Sequence, residues 1–132
     1  MLYAILAYHE EHVVQSWSDE EDATLMAGLL EVHDRLESQL GPSARLGGTA
    51  AAVTIRGKTL VTDGPFAETK EQLLGFYVVE ADTLRDAVQT ALEFKAANPG
   101  AVYEVRPIVL YLPGKPFPVT DAGLSTVRPL RD

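Results

Sequence analysis

The sequence predicts an α+β domain built on an antiparallel sheet. Three observations lead there: short apolar runs of strand type, two longer stretches with helical spacing, and turn signals between them.

Residues 1–8 are apolar and aromatic without polar alternation, the pattern of a central strand buried on both faces. His9-Glu10-Glu11-His12 reads as a polar connection. Ser18 opens a helix, with Glu21 three positions on to complete a capping box and acidic residues in the first turn to suit the helix dipole. Leu25, Leu29, Val32, Leu36 and Leu40 continue the helical spacing, and Gly41-Pro42 is expected to end it. Residues 43–48 look like a loop with room for a short strand. Residues 50–56 and 59–62 predict a hairpin around Arg56-Gly57-Lys58. Asp63-Gly64-Pro65-Phe66 is a sharp turn, and residues 67–74 are expected to make one or two helical turns. Residues 76–80 predict a strand preceded by Gly75. Asp82 is the expected cap of a second helix with an apolar stripe of Leu84, Val88, Ala91, Leu92 and the Lys95 stem, stopped by Asn98-Pro99-Gly100. Residues 102–111 form the closing strand. The order is β-α-β-β-α-β with an inserted hairpin, which is the ferredoxin-like split βαβ pattern. Residues 1–111 thus make one domain, and residues 112–132 an irregular, Pro-rich tail.

The chain has 132 residues, 46% of them hydrophobic, enough for one domain with a real core. It has no cysteine, which excludes a disulfide scaffold, a thiol nucleophile and a thiolate zinc site. No signal pattern opens it and no apolar run approaches the roughly 20 residues of a membrane span, so a cytoplasmic protein is expected. A net charge of −8 with scattered basic residues disfavours nucleic acid.

Two helices cover one face of such a sheet, yet residues 1–8, 76–79 and 108–111 are apolar on both sides. A second copy packed sheet to sheet is the expected cover, so a homodimer is predicted.

The stretch from Val61 to Val79, VTDGPFAETKEQLLGFYVV, resembles the signature of the DGPF-domain branch of the YCII-related family. The resemblance extends to the first strand, His33 and the closing Tyr103-Glu104-Val105-Arg106-Pro107, and covers residues 1–111. It implies a ferredoxin-like domain pairing into a dimeric α/β barrel, a pocket, and a His and an Asp as an acid–base pair. It also implies, for some relatives, an association with extracytoplasmic-function sigma factors.

Two residues stand out for chemistry. His33 falls within the apolar stripe of the first helix, so its ring points toward the sheet. It is either a core histidine satisfied by one backbone hydrogen bond or a pocket histidine able to move a proton near neutral pH. Asp63 either braces its turn by bonding the backbone two residues on or orients His33. Phe66 reads as a core plug or pocket wall, and Tyr77 and Tyr103 as strand residues lining a pocket. Glu68, Lys70 and Glu71 read as a solvated face. His9 and His12 lack the spacing of a zinc-protease helix and read as solvated, so no metal site is expected. No phosphate-cradling loop, nucleophile elbow or cofactor motif is present. The sequence therefore carries two functional readings. One is a small-molecule enzyme with His33 as general acid/base and Asp63 as its orienter. The other is a non-catalytic ligand-binding or regulatory dimer.

Overall fold

The computed structural model describes residues 1–117. Its elements are β1 (Leu2–Glu10), α1 (Glu11–Ser16), α2 (Asp19–Arg35), β2 (Leu40–Arg45), β3 (Val53–Arg56), β4 (Leu60–Asp63), β5 (Glu71–Glu80), α3 (Leu84–Ala97) and β6 (Val102–Pro107). Four strands form one sheet in the order β2-β5-β1-β6, and β3-β4 form a separate hairpin. Every pairing is antiparallel. With the hairpin set aside, this is the ferredoxin-like order, with the first strand central as its unbroken apolar run requires.

Alternation along the strands decides which side chains meet the helices. Tyr3 lies opposite Val79, and Ile5 opposite Tyr77 on one side and Val105 on the other. Tyr3, Ile5 and Val79 pack on Ala87 and Ala91 of α3. A second cluster joins Val32 of α2 and Leu36 at its C-cap to Phe94 of α3, with Tyr77 and Tyr103 against it. The Phe94 ring stacks on Tyr77 at 3.9 Å between centroids.

Helix α2 begins as expected: the Ser18 hydroxyl accepts from the Glu21 amide at 3.0 Å, and the Glu21 carboxylate accepts from the Ser18 amide at 3.1 Å. It stops at Arg35, well before Gly41-Pro42. A 3-10 turn, Glu37–Gln39, carries the chain into β2, where Leu40 lies opposite Val79. Leu40 keeps its place on the apolar side through that turn, which is why its spacing mimics one more helical turn. Gly41 and Pro42 sit in β2, an edge strand, where the missing proline N–H breaks no ladder that must be made.

Four more expectations are corrected. Residues 71–74 begin the strand β5 instead of a helix, and Gly75 lies inside it. A Cβ at Gly75 would sit 2.9 Å from the Ala44 carbonyl oxygen, so glycine permits the close approach of β2. Thr83, not Asp82, caps α3, its hydroxyl accepting from the Asp86 amide at 3.2 Å. The buried face of α3 is Ala87, Thr90, Ala91 and Phe94, sharing only Ala91 with the predicted stripe. The sheet already presents bulky tyrosines there, so the helix approaches through small residues with one aromatic plug. Strand β6 ends at Pro107, short of residue 111; Ile108 still donates its amide to Leu2 O at 2.9 Å. The irregular tail thus starts earlier than expected, and residues 118–132 of it lie outside the described part. Among the described residues no helix is long and apolar enough to cross a membrane.

Two stability changes follow. Ser18→Ala removes one half of the capping box and should cost about 1 kcal/mol in urea denaturation. Phe94→Ala removes the fully buried ring at the centre of the second cluster and should cost roughly 3–5 kcal/mol by the same measurement.

Candidate functional site

His33 sits in the last turn of α2, half-buried. Its ring makes no hydrogen bond or ion pair with any other described residue. Asp63 is the last residue of β4 and is exposed. The turn after it is braced by other groups: the Gly64 amide donates to Ala52 O at 2.8 Å, and the Thr54 hydroxyl donates to Gly64 O at 2.8 Å. Gly64 takes a φ of +104°, which L side chains rarely adopt. The expected brace by the Asp63 side chain is therefore absent among the described contacts, and its carboxylate is left open to solvent. Within one chain no hydrogen bond joins His33 to Asp63, and the hairpin that carries Asp63 packs chiefly on itself.

Phe66 is 75% exposed, so within one chain it is not a core plug. The Arg56 guanidinium lies 4.9 Å above its ring and donates to Phe66 O at 2.6 Å. Tyr77 belongs to the core through its stack on Phe94. Burial pushes its phenol well above the usual tyrosine range, and the neighbouring Tyr103 adds to the shift. Tyr103 is raised by burial too, opposed by the hydrogen bond from the Asn98 amide at 3.4 Å. Tyr103 also lines an open apolar groove of about 440 Å³ between α3 and β6.

The His-Glu-Glu-His segment lies in β1 and α1, and of its two histidines His12 is solvated as expected while His9 is not. His9 is the last inward residue of β1 and is 6% exposed. Its ring meets Trp17 edge to face at 5.3 Å. Nδ1 lies 3.3 Å from Glu10 O, and Nε2 is buried without a partner. A Cβ at Gly100 would stand 2.8 Å from Nε2, so only glycine leaves this ring its place. The remaining side chains diverge. Glu10 pairs with Lys70 at 3.1 Å and with His12 at 3.5 Å. Glu11 accepts from the Thr49 amide at 2.7 Å and from the Thr49 hydroxyl, tying down the 3-10 turn Thr49–Ala51. Among the described residues no three such donors converge on a metal position. His9 was readable in the sequence: the every-second-residue pattern of Tyr3, Ile5 and Ala7 leads straight to it once the strand is extended by two residues.

The YCII-related domain family matches residues 1–111. Uncharacterized protein R00369 of Rhizobium meliloti (strain 1021) is 50% identical over 121 residues, covering 87% of this chain and 98% of that protein. Among solved structures, the 5-chloro-2-hydroxyhydroquinone dehydrochlorinase from Burkholderia phenoliruptrix AC1100, in complex with 2,5-dihydroxybenzoquinone, covers 82% of this chain and 93% of its own with a TM-score of 0.49 at 16% identity. That degree of likeness says nothing about the chemistry of this chain.

His9→Phe removes a buried, unpaired nitrogen and should leave stability within about 1 kcal/mol of wild type or raise it, as read by urea denaturation. Gly100→Ala should cost roughly 1–3 kcal/mol through overpacking and shift the emission of Trp17, the single tryptophan of the chain. The two raised phenols favour the neutral form in the folded state. Their contribution is complete below the ordinary value of 10.0 and is lost as pH rises beyond it. Thermal stability should therefore decline above pH 10.0, less so in Tyr77→Phe.

Proposed function

We propose, for a chain that belongs to the YCII-related family, that it works as a homodimer closing a small-molecule pocket, with His33 moving a proton and Asp63 orienting it. The carrying observation is the outer face of the sheet. Alternation turns Leu2, Ala4, Leu6, Phe76 and Val78 away from the helices. No described helix packs on that side. Glu104 and Arg106 of β6 flank the apolar patch on the same face, with the Tyr8 hydroxyl donating to Glu104 at 3.2 Å. An apolar centre with a charged rim is the anatomy of a protein interface, and a second copy of the same face satisfies it under two-fold symmetry.

The hairpin supports the same reading. A two-stranded hairpin is marginal alone, and this one exposes Val53, Ile55 and Val61 on the face that also bears Asp63. A second copy would supply a surface for it. His33 contributes an unpartnered imidazole, the side chain best suited to proton transfer near neutral pH. Chemistry of this kind serves a hydrolysis, dehydration or isomerisation of a small molecule.

Leu6→Asp places a charge at the centre of the outer face and should convert a dimer to a monomer in sedimentation velocity; a wild-type protein that sediments as a monomer would overturn the dimer. An NMR pH titration of the His33 ring should show a midpoint that moves in Asp63→Asn. A ring indifferent to that change would remove the acid–base pair.

A further inference from the structure

We infer that the segment after β6 is an exchange arm, whose Val109, Leu110 and Leu112 lie in the α3–β6 groove of a second copy. Two apolar surfaces of one protomer have no cover among the described residues. The groove is walled by Leu84, Val88 and Leu92 of α3, which are 49%, 38% and 50% exposed, and by Val102, Tyr103 and Val105 of β6. The arm begins just after Pro107, and its Val109, Leu110 and Leu112 are 100%, 72% and 77% exposed. Exposed aliphatic side chains in such number are a solubility liability unless something covers them.

The dimensions agree. Leu84 to Leu92 spans about 12 Å along the helix, and Val109 to Leu112 spans about 10 Å of extended chain. Strand β6 is an edge, so its outer backbone is open beside the groove. Pro113 and Pro116 keep the arm from continuing as a helix or an inner strand. Within its own chain the arm starts at the wrong place. Tyr103 packs on both clusters and reaches the Phe94 one, whereas Val105 packs only on the cluster of Ala87 and Ala91, so β6 runs toward the Leu84 end of the groove and leaves there. Ile108 is still held to Leu2 O at 2.9 Å, and Val109 beyond it is fully exposed. Occupying its own groove would require an immediate reversal at that point. Exchange between two copies needs none, and a reciprocal pair closes under a two-fold axis. The inference shares with the preceding section the need for a second copy, but not the use of the sheet face.

The absence of native cysteine makes the test direct. Leu112→Cys protein is mixed with Leu92→Cys protein and treated with a short bis-maleimide, with Glu68→Cys in place of Leu92→Cys as the control. A docked arm reacts at a high effective concentration, so the mixed two-chain product should exceed the control by about tenfold or more. The added change Leu110→Asp in the arm should abolish the excess. A yield equal to the control overturns the inference. So does a double variant, Leu92→Cys with Leu112→Cys, that crosslinks only within one chain. Repeating the mixture with Leu6→Asp in both proteins separates the two readings: crosslinking that persists keeps the exchange arm while the sheet-face dimer is lost.

Discussion

The stack of Phe94 on Tyr77 is the contact on which the rest of the domain depends. There both long helices and the sheet share a neighbour: Val32 of α2 and Leu36 just beyond its end reach Phe94, while Tyr77 comes from β5. Its depth also explains the small residues around it. Ala87 and Ala91 bring α3 close to Tyr3 and Ile5, and the single large side chain fills what remains. A helix fixed that way cannot also bury Leu84, Val88 and Leu92. The apolar groove beside β6 is thus the other side of the same packing solution.

The architecture was legible in the sequence because its strongest signals are local. Ser18 and Glu21 announced a helix start, the unbroken run at residues 1–8 announced a central strand, and Arg56-Gly57-Lys58 announced a hairpin. The misreadings arose where a tertiary demand overrode a local one. Leu40 kept helical spacing while pairing with Val79 in the sheet. Residues 71–74 extended the strand because β1 continued to offer a partner as far as Glu10. The rotation of α3 was set by the size of the tyrosines it meets, which spacing along one helix does not encode.

The site was legible only in part. His33 was placed on the inward side of its helix, and it is half-buried there. Asp63 was placed in its turn, but what braces that turn is Thr54 and the Ala52 carbonyl, groups brought near by hairpin pairing. His9 passed as a loop residue because Glu10, Glu11 and His12 surround it with polar character. Its burial comes from strand parity and from the gap that Gly100 leaves.

The position of β1 has a consequence for how the chain comes together. Both of its edges are filled by strands made much later, β5 ending at Glu80 and β6 ending at Pro107. A chain emerging from the ribosome therefore carries its most apolar strand with no sheet partner until most of the domain exists. Closing such distant pairs is entropically slow. The first eight residues are then the segment most exposed to wrong association during synthesis. Changes that hasten the arrival of β5, such as a shorter hairpin insertion, would act on yield before they acted on the folded molecule.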